Sequence, residues 1–169
     1  MNTKNHKSMT LERLLSRSYG KESSTFWRSG PRGLTLEDVR CYLDEGGDVN
    51  GRLESGDTLL HNAASNLQIE IMRLLVGRGA DVNAQGYHGY TPLHHAVDMD
   101  CNTQNRKDCS RPSELPLTRI LIEAGADETV RDDDKKTARD IAVAYGEAET
   151  GLYDTLPRQH SGKNESPAT

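Results

Sequence analysis

Two short motifs return along this chain at a fixed spacing. Residues 56–64 read GDTLLHNAA, and residues 89–97, which lie 33 positions later, read GYTPLHHAV. The sequence GGDVN that begins at Gly46 recurs as GADVN at Gly79, again after 33 residues. Because two motifs keep one phase, the chain is predicted to fold as a stack of repeated units rather than around one central core.

The third copy of both motifs comes late by the same amount. GAD recurs at Gly125, and TARDIA opens at Thr137, each 46 residues after its predecessor. One insertion between the two motifs, at residues 100–112, accounts for both shifts. The insertion is polar and has no apolar period, so we expect a loop. It is either a recognition loop or a tolerated insertion, since lengthening a connection costs little.

Each unit is expected to contain two short helices and an extended finger. Pro92 suits the first turn of a helix, where its missing N–H costs nothing. The second helix carries apolar residues at helical spacing, and Gly79 ends it in a left-handed cap. The finger follows from Asp81, and Gly86 and Gly89 permit its turn. These elements predict an all-α chain.

The pattern resembles the ankyrin repeat, because TPLHHA at residues 91–96 and LLVGRGADVNAQ at residues 74–85 are close to that of the family. The resemblance covers residues 24–156 and implies an all-α ankyrin-repeat solenoid of about four units. These are a degenerate N-terminal cap, two fuller repeats, the second with the insertion, and a C-terminal capping repeat. The predicted bounds are 24–54, 55–87, 88–133 with the insertion at 100–112, and 134–156.

Both ends of the chain are predicted to differ from the repeats. Residues 1–23 are expected to be flexible, although Leu11, Leu14 and Leu15 could form one amphipathic turn, and residues 157–169 read as a disordered tail. Phe26 and Trp27 are expected to cover the open N-terminal end of the core.

The resemblance also implies structural roles for single residues. In the family, the threonine hydroxyl holds a histidine three positions later against backbone groups of the next unit. Here this role falls on Thr58 with His61 and on Thr91 with His94. The last unit has Asp140 where a histidine would stand, since no further unit follows it. The residues expected to shape the repeats are Thr58, His61, Gly79, Thr91, Pro92, His94 and Gly125.

Ankyrin stacks bind other proteins, so the resemblance implies a non-catalytic protein–protein interaction module. The family's variable positions lie on the finger tips and the concave helix face. Carried over in phase, the candidate partner-binding residues are Arg52, Glu54, Asp57, Tyr87, His88, Tyr90, Asp98, Met99, Asp133 and Lys136. Tyr87, Tyr90 and Met99 are prominent because tyrosine is frequent in binding hot spots and methionine adapts to irregular surfaces. Alternatively, Tyr87 or Tyr90 packs on the adjacent finger.

Composition and motifs argue against several other functions. The net charge is −5 and the basic residues are scattered, so no nucleic-acid surface is expected, whereas a partner with a basic patch would suit the acidic positions. No apolar run is long enough to span a membrane. No catalytic motif or phosphate loop is present, so neither an enzyme nor a cofactor is predicted. Cys101 and Cys109 lack zinc-ligand spacing, so no metal is expected and both are expected to be surface thiols.

The expected location is the cytoplasm. The three cysteines are an odd number without a C-x-x-C pair, which fits a reducing compartment, and the N-terminus lacks a secretory signal. We expect a monomer when no partner is bound. Two alternatives stay open: a dedicated inhibitor or antitoxin-like protein that blocks a specific enzyme, and a secreted effector that acts in a host cell through protein binding.

Overall fold

The computed structural model describes residues 34–103 and 115–145, together with Leu11 and Leu14. These two ranges are all-α, as the sequence predicts. Their helices, in chain order, are α1 Leu36–Asp44, α2 Leu59–Ser65, α3 Ile69–Gly77, α4 Pro92–Thr103, α5 Pro116–Glu123 and α6 Ala138–Ala144. A turn of 3-10 helix, Tyr87–Gly89, lies in the finger before α4.

The helices pack in two rows. One row consists of α2, α4 and α6, and each of these contacts the next; α1, α3 and α5 form the other row in the same way. The rows are joined because α2 packs on α3 and α4 packs on α5. Helices of this length are marginal alone, so each depends on burying an apolar face against its neighbours.

The core is the seam between the rows and between successive units. The first row presents small side chains, which let its helices approach closely, and the second row supplies larger ones. The buried small residues are Ala63, Ala64, Ala96, Ala138 and Ala142, and the larger ones are Ile71, Met72, Leu75, Leu117, Ile120 and Leu121. Burial of the larger side chains, at about 1.5–3 kcal/mol each, is the main stabilising contribution.

Glycines act in two different ways at the turns. Gly79 after α3 and Gly125 after α5 have φ angles of 85° and 87°, which glycine adopts without the strain other residues incur. Gly86 has no such angle. A Cβ at Gly86 would lie 2.1 Å from Oδ1 of Asp57, so this glycine allows two successive fingers to approach each other.

The predicted start of the insertion is wrong. Residues 100–103 continue helix α4, and Asp100 and Cys101 are only 2% and 1% exposed. Polarity suggested a loop, but the Asp100 carboxylate is hydrogen-bonded to Thr118, and a thiol is small and apolar enough for the core. Cys101 is therefore a core residue and not the expected surface thiol.

The segment predicted to be flexible contains two ordered residues. Leu14 is helical and completely buried in the core, and Leu11 packs against the core beside Gly51. At these two positions the structure agrees with the amphipathic turn that was the alternative to flexibility, because leucines can cover apolar surface at the end of a stack. The remaining predictions for residues 1–33, with Phe26 and Trp27, for residues 104–114 and for residues 146–169 lie outside the described residues. The number of units therefore stays a prediction.

Candidate functional site

The side chain of His61 joins two fingers. Its Nδ1 accepts hydrogen bonds from the Thr58 backbone N–H at 3.1 Å and from the Thr58 hydroxyl at 2.9 Å. Its Nε2 lies 3.0 Å from the carbonyl oxygen of Tyr90 in the next finger. Because a carbonyl can only accept, Nε2 carries the proton and Nδ1 is bare. Burial lowers the pKa of His61, which keeps the ring in this neutral form.

His94 makes the same contacts one unit later. Its Nδ1 lies 2.8 Å from the Thr91 hydroxyl, and its Nε2 lies 3.2 Å from the carbonyl oxygen of Lys136. Burial lowers the pKa of His94 as well. The series ends at Asp140, whose carboxylate accepts the backbone N–H of Thr137 at 2.8 Å. Asp140 therefore caps its own helix and does not reach beyond it.

A second series of contacts, which the sequence analysis missed, connects the bases of the fingers. Nη1 of Arg52 donates to the carbonyl oxygens of Gly56, in its own finger, and of Gln85, in the next, both at 2.7 Å. Nε2 of Gln85 donates in the same way to Gly89 and Arg131, both at 3.0 Å. The residue type changes between units, so sequence similarity gives no signal for this series. Arg52, predicted to bind a partner, is used to hold the stack together.

A third series uses asparagines at the end of the repeated DVN motif. The Asn50 side-chain oxygen accepts the backbone N–H of Asp81 at 2.8 Å, and that of Asn83 accepts the N–H of Asp127 at 2.7 Å. Here the sequence carries a signal, because an asparagine stands at the same place in two consecutive copies. These contacts, with the histidine and Arg52–Gln85 series, keep the spacing of the fingers constant.

The tip of the finger before α4 exposes an aromatic ring. Tyr87 is 59% exposed, and its ring centroid lies 3.9 Å from that of His88. The backbone beneath it is fixed, because the Tyr87 N–H donates to Oδ1 of Asp57 at 2.8 Å and the His88 carbonyl accepts the N–H of Asp133 at 3.0 Å. Asp57 is thus a support for the tip. His88 has a φ of 55°, a strained value for a non-glycine residue.

Tyr90 is half-buried, and its ring packs on two histidines of α4. Its ring is stacked on that of His94, with centroids 5.4 Å apart, and meets the edge of His95 at 5.3 Å. Its pKa is raised, first by burial and then by the carboxylates of Asp132, Asp98 and Asp134. These three groups therefore place negative charge around the phenol.

His95 is a partly buried histidine that the sequence analysis did not assign. Its Nε2 is buried and makes no hydrogen bond, and its ring meets that of His61 edge-on at 5.9 Å. Burial, and next the neighbouring His61, lower the pKa of His95 from 6.5 to about 4. His95 is therefore neutral near pH 7 and resists protonation.

The remaining candidates divide into exposed and packed residues. Glu54 is exposed and has no hydrogen bond or ion pair with a described residue. Met99 packs against the core, and Asp98 accepts a hydrogen bond from the Tyr145 hydroxyl at 2.5 Å. Lys136 is exposed, and its backbone carbonyl accepts the hydrogen bond from Nε2 of His94. The structure thus brings Tyr87, His88, Tyr90, Asp98 and Asp133 to neighbouring positions and uses Arg52 and Asp57 internally.

The repeat itself decides the family, since bridges of one kind recur between successive fingers. The family profile for ankyrin repeats, in three copies, matches residues 32–111. Residues 32–111 of this chain are ankyrin repeats. Ankyrin repeats are in general protein–protein interaction modules and are typically non-catalytic. The search of curated proteins finds no match to this sequence.

Two further findings concern the part of the chain that the structure describes. Within it, no helix has both the length and the apolar character needed to cross a bilayer. Across residues 34–103 and 115–145, no three histidine, cysteine, aspartate or glutamate side chains come together as metal ligands would.

Proposed function

We propose that this protein is a non-catalytic module that binds a partner protein. The binding surface consists of the finger tip at Tyr87 and His88, together with Tyr90 and the end of α4 that adjoins it. The observation that carries the proposal is the 59% exposure of the Tyr87 ring at the tip of a finger. Tyrosine is enriched in binding hot spots, because it offers a large contact area and a polar group for few rotatable bonds.

The fixed backbone beneath Tyr87 supports this role. Hydrogen bonds to Asp57 and between His88 and Asp133 hold the tip before any partner arrives. A preorganised anchor loses little conformational entropy on binding, so more of its contact energy appears as affinity. The positive φ of His88 is consistent with a local conformation retained for its use, since such strain is commonly found at functional positions.

The proposed surface is smaller than the set of ten candidate residues. Arg52, Asp57 and Met99 already have roles in the stack, whereas Glu54, His88 and Asp133 remain exposed on three successive fingers. A standard interface buries roughly 800 Å² on each partner, so the tip would be its centre and not its whole extent. Binding by residues 104–112 stays a prediction.

The proposal is tested by capture of partners with the full chain and two variants. Tyr87→Ala removes the exposed ring, and Leu67→Ala is the matched control. Among the residues that the structure describes, Leu67 is the other large exposed hydrophobic residue, at 42% exposure, and it lies between α2 and α3. We expect the Tyr87 variant to lose a partner that the native chain and the control retain, with unfolding temperatures unchanged. Equal capture by all three proteins would show that this tip is not the binding surface.

A further inference from the structure

The two copies of the DVN motif differ in the residue that follows their asparagine. Gly51 follows the motif at residues 48–50, and Ala84 follows the motif at residues 81–83. Asparagine is a thermolabile residue, which deamidates when the backbone nitrogen of the next residue attacks its side-chain amide. Glycine has no Cβ that obstructs this approach or restricts the backbone. Asn50 is therefore chemically the more reactive of the two asparagines.

The reaction at Asn50 needs no reagent other than water. The nitrogen of Gly51 forms a bond with Cγ of Asn50, which closes a succinimide ring. The bond between Cγ and Nδ2 then breaks, and Nδ2 leaves as ammonia with the proton that the Gly51 nitrogen loses. Water opens the ring at Cγ to give aspartate, or at the backbone carbonyl carbon to give isoaspartate, in which the main chain runs through the former side chain.

The folded chain holds both reacting groups in other hydrogen bonds. The Gly51 N–H donates to the carbonyl oxygen of Asp48 at 3.0 Å, and the Asn50 N–H donates to Oδ1 of Asp48 at 2.9 Å. The side-chain oxygen of Asn50 accepts the Asp81 N–H of the next finger at 2.8 Å. Because the amide nitrogen must turn towards Cγ before the ring can close, the reaction requires this finger to open.

Asn83 provides a comparison within the same chain. Its backbone N–H donates to Oδ1 of Asp81 at 2.9 Å, and its side-chain oxygen accepts the Asp127 N–H at 2.7 Å. Both asparagines are exposed, and their contacts are the same one unit apart. A difference in their reactivity therefore comes from the residue that follows and from how readily each finger opens.

The finger that carries Asn50 is held less firmly than the finger that carries Asn83. Within the described ranges, its hydrogen bonds to other fingers run to the next finger only, as in the bond of 2.7 Å from Nη1 of Arg52 to the Gln85 carbonyl oxygen. The next finger is held on both sides, because Nε2 of Gln85 donates to the Arg131 carbonyl oxygen at 3.0 Å. Elements with fewer contacts open at a lower free-energy cost.

We propose that Asn50 is a deamidation site that reacts when its finger opens, and that the modification weakens the contact of this finger with the next. In isoaspartate the former side chain is part of the main chain, so the acceptor of the Asp81 N–H is displaced. Aspartate keeps an acceptor but places a second negative charge beside Asp48, which disfavours the folded finger. A reversible opening is thereby converted into an irreversible change, independently of any partner.

The test compares the two asparagines in the full chain at neutral pH, in buffer and in urea, by peptide mapping with mass spectrometry. We expect Asn50 to deamidate at least about tenfold faster than Asn83 in both conditions. We also expect Asn50 to react faster in urea than in buffer, because the fold restrains it. Equal rates for the two asparagines, or equal rates for Asn50 in buffer and in urea, would overturn the proposal.

Exchange of the following residues tests the chemistry. Gly51→Ala should suppress the reaction at Asn50, and Ala84→Gly should introduce it at Asn83. Gly51 has no positive φ, and a Cβ there would lie 3.1 Å from the Asp48 carbonyl oxygen, so alanine requires only a small adjustment. Measurements in urea make the comparison independent of folding. An unchanged rate at Asn50 in the Gly51 variant would show that attack by this nitrogen is not the route.

A second pair of variants tests the role of opening. Arg52→Ala removes the bond to the Gln85 carbonyl and should speed deamidation of Asn50 in buffer about fivefold, while the rate in urea stays the same. Glu54→Ala, in the same finger, is the control and should leave both rates unchanged. If the two variants react equally in buffer, opening of the finger does not limit the reaction and the proposal is wrong.

The consequence for the stack is measured on the product. The isoaspartate form, separated by ion-exchange chromatography from chain that has been incubated in buffer, should exchange the Asp81 amide hydrogen faster than fresh protein does. The Asp127 amide, which donates to Asn83, is the internal control and should not change. Unchanged exchange at Asp81 would contradict the loss of contact between the fingers.

Discussion

The Asp100 carboxylate accepts two hydrogen bonds from Thr118, from its backbone N–H at 2.9 Å and from its hydroxyl at 2.8 Å. Thr118 lies in the first turn of α5, where backbone N–H groups have no partner within the helix. The residue at the N-cap position is Leu115, which cannot supply an acceptor from its side chain. Asp100 therefore caps α5 from the end of α4, and fixes both ends of the connection between them.

We predict that Asp100→Ala lowers the free energy of unfolding by about 2–3 kcal/mol. The substitution leaves the buried N–H and hydroxyl of Thr118 without an acceptor, and it also removes the charge next to the helix N-terminus. Urea denaturation followed by circular dichroism measures the change. Asn102→Ala, at an exposed position of the same helix, is the control and should change stability by less than about 0.5 kcal/mol. Equal effects of the two substitutions would contradict the capping role.

The lowered pKa of His95 predicts that the protein loses stability in mild acid. Its pKa is lowered from 6.5 to about 4, so between these values the unfolded chain binds a proton that the folded chain excludes. Stability therefore falls as the pH falls through this window, by about 2 kcal/mol between pH 7 and pH 5. The lowered pKa values of His61 and His94 add to the effect with the same sign. Urea denaturation at several pH values measures it.

The contribution of His95 is isolated by His95→Asn. Asn62 occupies the corresponding position one unit earlier, so asparagine fits this place in the repeat. The variant should lose about 2 kcal/mol less than the native chain between pH 7 and pH 5. If both proteins lose the same amount, His95 titrates normally in the folded state.

Arg52 separates a structural from a binding role. Arg52→Ala removes hydrogen bonds to the carbonyl oxygens of Gly56 and Gln85 and should lower the free energy of unfolding by about 1 kcal/mol, since the site is exposed to water. Glu54→Ala in the same finger should cost less than about 0.5 kcal/mol. Thermal unfolding of both variants gives the comparison. If Arg52→Ala does not change the stability of the protein, Arg52 has no structural role and is again a candidate binding residue.

The backbone conformation of Leu67 predicts that its replacement by glycine stabilises the protein. It joins α2 to α3 with a φ of 59°, a left-handed conformation that is unfavourable for a leucine, and its side chain is 42% exposed. Leu67→Gly should raise the free energy of unfolding by about 0.5–1 kcal/mol, because the released strain exceeds the added entropy of the unfolded chain. Leu67→Ala, which keeps a Cβ, should show no gain. A lower unfolding temperature for the glycine variant would contradict the assignment of strain.

The sequence was most informative where one residue type is needed for one conformation. The left-handed turn after each second helix needs a residue without Cβ, so Gly79 and Gly125 are recognisable in the sequence. The Thr58 and His61 pair is likewise recognisable, because its own unit supplies one half of the bridge and the regular stack supplies the carbonyl of the next finger. Such local requirements repeat with the period.

The sequence was least informative where a polar residue has an unpredictable partner. The sequence predicts that Asp100 belongs to a loop, whereas the structure shows that it accepts hydrogen bonds from Thr118. The sequence predicts that Arg52 is a binding residue on the surface, whereas the structure shows that it donates to the Gln85 carbonyl. The candidate surface shows the same limit. The sequence does not distinguish Tyr87 from Tyr90. In the structure the Tyr87 ring is exposed at the finger tip, whereas the Tyr90 ring packs on His94.

The sequence alone determined the period, the helical class and the ankyrin-repeat pattern, because stacked units need the same caps and the same small apolar face every time they recur. Only the tertiary structure decided where α4 ends, which polar side chains hold neighbouring fingers together, and which tyrosine ring stays exposed. Those outcomes depend on groups that lie 18 to 46 residues apart along the chain. The residues that lie opposite a side chain in the stack decide whether it makes structural contacts or stays exposed, and these residues are distant from it in the sequence.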